Sequence, residues 1–230
     1  MLRPVVALAA LSLAAAPVQA QDLVALCKQI SHPPVGAWSS YRMIGGQEDG
    51  ATMRLSVVGS EVHGDTTYLW VEWALAGMNG PNGQKMSVTS KMLVPSFGPG
   101  MSSPRSMIMK FGASPAMTMP MDGPMGKMGT EDRTGIEKCG QGKSLGWESV
   151  TVPGGTFRAL HVQDADGHGD VWVVPSMALG LIKVTPGNEH GSTLVLTDHG
   201  TGAKTAITET PVPFNPAIMM QMMGGGRTSH

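Results

Sequence analysis

Apolar and polar residues alternate along much of the chain from Gly36 onward, which is the period of a half-buried β-strand. In the segment 52–57, three apolar side chains alternate with three polar ones. The segment 67–75 is apolar or aromatic on both faces, so neither face is expected to be plain solvent-facing surface. Turns rich in glycine, proline and asparagine separate such segments. The predicted strands are 52–57, 67–75, 85–94, 107–111, 146–152, 156–163, 170–174, 181–185, 193–198 and 203–208.

Helical spacing is found only near the two ends of the chain. Asp22 is placed to cap a helix whose apolar stripe continues to Ile30, and the prolines that follow end it. Near the other end Asn215 takes the capping position, Pro216 takes the first helical position, and glycines from Gly224 stop the helix. The sequence thus predicts a short helix at each end of a β domain.

These patterns predict a mainly β protein of nine or ten strands. One large curved antiparallel sheet, or an unclosed barrel, fits the long strands and the apolar character of both of their faces. Residues 95–142 interrupt the alternation, because they are rich in glycine, proline, serine and methionine and contain one strand-like piece. We predict a long Met/Gly/Pro-rich loop there, and loops of this length are often lids or binding loops.

The first twenty residues have the layout of a secretory signal peptide, with Arg3 before an apolar run and a small residue at Ala20. We predict cleavage after Ala20, a single β domain over 21–226 and a disordered tail over 227–230. No later run reaches the roughly 20 apolar residues of a transmembrane helix. A lipid anchor at Cys27 is disfavoured because Leu26 is not small. The expected location is periplasmic or secreted, with the chain soluble after cleavage.

Charge and cysteine content narrow the function further. The chain has 16 basic and 17 acidic residues, so it lacks the basic footprint of a nucleic-acid-binding protein. Its two cysteines, Cys27 and Cys139, would form a disulfide in an oxidising compartment, closing a loop of about 110 residues. Two buried free thiols are the alternative.

Motifs for catalysis are weak. Gly142-Lys143-Ser144 resembles the end of a phosphate-binding loop, but Glu137 stands where that loop requires glycine. The acidic run 164–170 lacks the glutamate of a calcium loop, because Pro175 stands at the twelfth position. Asp198-His199 is most simply part of a turn, and the histidines show no spacing typical of metal ligands. We therefore predict a protein that is not an enzyme and needs no cofactor.

Methionine is the strongest anomaly of composition. Of 19 methionines, eight lie between Met101 and Met128 and four near the C-terminus. Thioether sulfur selects Cu(I), and one loop could offer several ligands. The alternatives are a flexible apolar cover over a cavity and ordinary gap-filling. The candidate Cu(I) ligands are Met117, Met119, Met121 and Met125.

The segments 146–160, 171–175 and 180–184 form a strand, a Pro-x-Gly-Thr-Phe turn, a second strand, a Trp-containing strand and a Gly-Leu-Ile-Lys strand. Over these roughly 40 of 230 residues the chain resembles the lipoprotein-carrier superfamily of LolA and LolB. The resemblance implies an unclosed antiparallel barrel with helices over its mouth and an apolar cavity for acyl chains. Gly154 departs from a more usual alanine, and no ligand-contacting residue can be carried over.

The sequence therefore predicts a non-enzymatic exported protein that binds a hydrophobic small molecule or lipid. A methionine-rich Cu(I)- or Ag(I)-binding or metal-tolerance protein is the alternative, and envelope proteins are further candidate partners. The candidate ligand-binding residues are Leu69, Trp70, Val71, Trp73, Trp147, Phe157 and Trp172.

Overall fold

The computed structural model describes residues 32–80, 83–95, 104–121, 142–164, 167–188 and 190–217. Within these ranges twelve strands join in one sheet. The strands are β1 (Trp38–Ile44), β2 (Thr52–His63), β3 (Thr66–Asn79), β4 (Lys85–Val94), β5 (Ser106–Phe111), β6 (Met117–Met119), β7 (Lys143–Val152), β8 (Gly155–Gln163), β9 (Asp170–Val173), β10 (Leu181–Thr185), β11 (Thr193–Gly200) and β12 (Val212–Pro213).

Two meanders make up this sheet. Strands β1 to β6 follow one another in space as they do in sequence, and so do β7 to β11. Antiparallel pairing of β1 with β11 joins the two halves, and β12 adds to β6 in parallel at one edge. Because neighbouring strands are mostly consecutive in the chain, short turns connect most of them.

The prediction of one large unclosed, mainly β sheet is confirmed, and the alternation located β2 to β5 and β7 to β11. The predicted strand at 203–208 is wrong, because that segment has no regular structure. Strand β6 lies inside the segment predicted to be a loop, and β1 and β12 also were not predicted. The N-terminal helix lies outside the described residues. Of the C-terminal helix only its start is described, where the Ala217 amide donates to Asn215 Oδ1 at 2.9 Å.

The sheet is strongly curved. Strands β8 and β11 are three places apart, which would be about 14 Å in a flat sheet. Yet the Gly154 amide, at the tip of the β7–β8 hairpin, donates to the Leu196 carbonyl of β11 at 3.0 Å. A Cβ at Gly154 would lie 3.1 Å from Leu196 Cγ and 3.2 Å from the Leu196 carbonyl oxygen, so the hairpin tip approaches β11 closely. Gly155 has a φ of 136°, a conformation open to glycine, so the predicted tight turn is confirmed.

One face of the sheet, the inner face, carries the hydrophobic core. Directly opposed residues of antiparallel strands share a face, so the register groups side chains into rows. One row crosses five strands, β2 to β6, and its members are at most 6% exposed: Val57, Val71, Met92, Met107 and Met119. The Tyr41 hydroxyl also reaches across the inner face and donates to the Leu181 carbonyl at 3.2 Å.

A strap, defined here as residues 201–213, crosses the opposite, outer face. It begins beside β1, where the Trp38 indole donates to the Thr201 carbonyl at 3.1 Å. It ends at the far edge, where the Val212 amide donates to the Ala116 carbonyl at 2.9 Å. The strap therefore spans the back of the first meander and contributes β12.

The carboxylate of Glu72 on β3 holds the middle of the strap. Glu72 is only 4% exposed, and its carboxylate accepts hydrogen bonds from Thr205 Oγ1 at 2.6 Å and from the Ala206 amide at 2.9 and 3.2 Å. Further along, Lys110 Nζ of β5 donates to Glu209 Oε1 at 2.5 Å. No helix in the described part of the chain is long and apolar enough to cross a membrane.

Candidate functional site

The inner face is only half-buried where it crosses the C-terminal half of β3 and the strands beside it. We call this region the β3–β5 patch. Two rows form it: Trp73 opposes Ser90, which opposes Met109, and Leu75 opposes Val88, which opposes Phe111. All except Ser90 are half-buried. The alternation of each strand explains the grouping, since every second residue points to this face. The members are Trp73, Leu75, Val88, Ser90, Met109 and Phe111.

Two polar atoms in the patch have no hydrogen-bond partner in the part of the chain that the structure describes. They are Trp73 Nε1 and Ser90 Oγ, both shielded from solvent, and Ser90 as a whole is 9% exposed. Buried polar atoms are nearly always paired, and leaving one unpaired costs about 1–3 kcal/mol. By contrast, the indole nitrogens of Trp38, Trp70 and Trp172 each donate to a protein oxygen. The patch is therefore apolar surface with two unmet hydrogen-bonding groups.

The patch carries no charge of its own. Lys91 follows Ser90 in β4 and Lys110 follows Met109 in β5, so both lysine side chains project from the outer face. Lys91 Nζ lies 4.9 Å from the centre of the Trp70 ring there. On β2, Leu55 opposes Trp73 and Met53 opposes Leu75, so the two rows stay apolar from β2 to β5 except at Ser90.

The structure brings together three of the seven residues predicted to bind a ligand. Leu69, Val71 and Trp73 share the inner face of β3. Trp70 projects from the outer face, where its indole nitrogen donates to Glu61 Oε1 at 2.7 Å. That hydrogen bond lowers the pKa of the Glu61 carboxyl, and a hydrogen bond with His63 lowers it further by a smaller amount.

The other three lie in the second meander. Trp147 opposes Leu160 of the core and is half-buried. Phe157 packs edge-on against the His199 ring, with centroids 5.9 Å apart. Trp172 projects from the outer face beside His161, whereas Val171 and Val173 project from the inner face. The seven therefore do not form one lining, and which of them contact a ligand stays a prediction.

The methionines predicted as loop ligands are partly strand residues. Met117 and Met119 belong to β6 and are 0% and 6% exposed, Met121 packs against the core, and Met125 lies outside the described residues. Their partners are strand methionines: Met119 opposes Met107, Met117 opposes Met109, and Met107 also opposes Met92. The i, i+2 spacing of the methionines in β5 and β6 was the available signal, but pairing the two strands required the fold.

A polar network on the outer face of β7 to β10 was not predicted. His161 Nε2 lies 2.9 Å from Asp170 Oδ1, and its Nδ1 lies 3.3 Å from Glu148 Oε1. Both imidazole nitrogens therefore face carboxylates. The His161 ring stacks on the Trp172 ring, with centroids 4.3 Å apart. Lys183 Nζ lies 4.6 Å from the centre of the same Trp172 ring. These side-chain contacts link β7, β8, β9 and β10 across the outer face.

Metal-binding groups of the usual polar kind do not gather in the described ranges. No cluster of three or more histidine, cysteine, aspartate or glutamate side chains there could hold a metal ion. Cys27 and Cys139 lie outside the described residues, so their disulfide stays a prediction.

Comparisons with known proteins identify no family. No family model matches the chain, and no curated protein matches it. An inferred exported protein with a YmcC-like fold from Bacteroides fragilis shares 12% identity over 74% of this chain and 99% of its own, with a TM-score of 0.35. An inferred lipoprotein from Parabacteroides distasonis shares 13% identity over 74% of this chain and 98% of its own, with a TM-score of 0.36. Likenesses this low define neither family nor function, and the resemblance to lipoprotein carriers stays unconfirmed.

Proposed function

We propose that the protein is a non-enzymatic, exported binding protein that holds a hydrophobic ligand, a lipid or an acyl chain, against the inner face of its sheet. The observation that carries the proposal is the β3–β5 patch. It combines half-buried apolar side chains with two buried polar atoms that have no partner in the described chain. Apolar pockets with a few placed polar groups are the usual form of small-molecule sites.

Burial supplies the driving force for such binding. Each methylene moved from water to an apolar surface contributes about 0.8 kcal/mol, so a chain of several methylenes has enough to gain for measurable affinity. The side chains of the patch that are half-buried, among them Leu75, Val88 and Phe111, still expose apolar surface that a ligand would cover. Because such a ligand would bind only the folded protein, it would also raise the free energy of unfolding.

The first test is ligand retention and probe binding. Native mass spectrometry after mild purification should show a co-purifying lipid, and the neutral fluorophore N-phenyl-1-naphthylamine should bind. Val88→Lys places a charge in the patch and should weaken fluorophore binding at least about tenfold, since an unpaired charge resists desolvation. Ser87→Lys is the matched control, because Ser87 is exposed and points to the outer face. A lipid-free mass together with no fluorophore binding by the wild type refutes the proposal.

A second candidate function rests on the rows of methionine. Met92, Met107 and Met119 oppose one another on three adjacent strands, and directly opposed Cβ atoms lie about 4.5–5.5 Å apart. Met109 and Met117 form the next pair on the same strands. Several thioether sulfurs therefore share one apolar face, and soft Cu(I) or Ag(I) is the metal that such sulfurs select.

Titration with Cu(I) against a competing chelator separates the two functions. The double variant Met107→Leu/Met119→Leu keeps apolar bulk but removes two sulfurs, so it should lose Cu(I) binding and keep its fold. Met43→Leu, a half-buried core position on β1, is the control. Unchanged Cu(I) affinity in the double variant would exclude these rows as the metal site.

A further inference from the structure

We infer that the β3–β5 patch recognises a neutral carbonyl oxygen, as in an ester- or amide-linked acyl chain, in preference to a free carboxylate. The inference rests on the proposed function and specifies the ligand of that same site. It follows from the hydrogen-bonding capacity of two side chains and from where the neighbouring charges lie.

The two unpartnered groups belong to side chains that neighbour each other on the same face. Trp73 and Ser90 are directly opposed on β3 and β4, so their side chains leave the same face side by side. An indole nitrogen can only donate a hydrogen bond, and a hydroxyl can donate one as well. Both donors are buried and without a partner in the described chain. A single oxygen with two lone pairs would satisfy both.

The type of oxygen follows from the chemistry of the surroundings. A purely hydrocarbon ligand would leave both donors unpaired. A carbonyl oxygen accepts two hydrogen bonds and brings no donor that would itself need a partner. The patch thus favours an acyl group over an alkyl chain.

The neighbouring charges disfavour an ionised ligand. The nearest cations along these strands, Lys91 and Lys110, point to the outer face, where Lys110 is paired with Glu209. A carboxylate bound at the patch would be buried without a counter-charge, which costs far more than burying a neutral carbonyl. An ester or amide oxygen accepts the same hydrogen bonds without that cost.

The experiment compares methyl dodecanoate with dodecanoate as competitors of bound N-phenyl-1-naphthylamine at pH 8. We expect the ester to compete at least about tenfold better than the carboxylate. Ser90→Ala and Trp73→Phe should each weaken ester binding about three- to tenfold relative to the fluorophore affinity measured for the same variant. Thr89→Ala and Trp38→Phe are the matched controls on the outer face, and both should bind the ester as the wild type does.

The outcomes separate this inference from the proposed function. Equal affinity for ester and carboxylate, or unchanged ester affinity in both Ser90→Ala and Trp73→Phe, would overturn carbonyl recognition while apolar binding stands. A wild type that binds neither the fluorophore nor either competitor would overturn the proposed function itself. The comparison of ester with carboxylate needs only the wild type, so it decides the question even if a variant fails to fold.

Discussion

Glu72 offers the sharpest test of how the strap is held on the outer face. Its carboxylate is almost fully buried and accepts hydrogen bonds from Thr205 and from the Ala206 amide. Glu72 lies on β3 between Val71 and Trp73, so it anchors the strap directly behind the β3–β5 patch. Glu72→Ala removes both acceptor oxygens, and Glu72→Gln keeps one of them.

The expected loss of stability follows from those contacts. A hydrogen bond to a charged group contributes about 1.5–3 kcal/mol, and Glu72 accepts from two donors, which bounds the gross loss near 3–6 kcal/mol. Relief of carboxylate desolvation and the second contact of Thr205 Oγ1, to the Ile207 carbonyl at 3.3 Å, reduce it. We expect a net loss of about 2–4 kcal/mol for Glu72→Ala and about 1–2 kcal/mol for Glu72→Gln.

Urea unfolding monitored by tryptophan fluorescence measures the change in free energy, and hydrogen exchange of the Ala206 amide reports on the strap itself. Asp65→Asn, in the exposed turn between β2 and β3, is a control in which one acid becomes its amide without an effect on the strap. The reasoning fails if Glu72→Ala lowers stability by less than about 0.5 kcal/mol, the range of ordinary surface changes. It also fails if the Ala206 amide remains as protected as in the wild type.

Three further predictions concern pH and redox state. Burial raises the pKa of the Tyr41 phenol above its ordinary 10.0. Since the unfolded chain ionises first, stability should fall as pH rises above 10, and Tyr41→Phe should flatten that alkaline slope in unfolding titrations. The hydrogen bond from Lys110 lowers the pKa of Glu209 below its ordinary 4.5, so this anchor of the strap stabilises above that pH and weakens as pH falls below it. Glu209→Gln should remove that acid dependence, and an unchanged slope would contradict it. A disulfide between Cys27 and Cys139 should appear in non-reducing peptide maps, and reduction should remove about 4–5 kcal/mol; free thiols in the exported protein would exclude it.

The strands could be predicted from the chain because alternation is a local property. Segments 85–94 and 181–185 were located to the residue, since turn residues bound each of them. Strand β6 was missed because three residues carry too little pattern and the surrounding glycines and prolines indicate a loop. The prediction of a strand at 203–208, within the strap, was wrong because the contact that holds this segment, to Glu72, lies more than 130 residues away in the sequence.

The candidate site shows the same division. Alternation alone puts Leu69, Val71 and Trp73 on one face of a strand, but it does not say whether that face is inner or outer. It also gave Trp70 equal weight, although the indole of Trp70 is paired with a carboxylate on the other face. The pairing of Trp73 with Ser90 depends on the register of β3 and β4, and no local pattern predicts register between two strands.

The sequence by itself determined that this is a β protein of many short turns, where most strands lie, and that methionine is concentrated in a few places. It did so because side-chain periodicity and turn residues act within a few positions of one another. Only the tertiary structure decided which methionines oppose one another, which buried indole nitrogen has no hydrogen-bond partner in the described part of the chain, and that a strap holds the outer face. Those facts depend on strand register and on the curvature of the sheet, which bring residues far apart in the chain into contact.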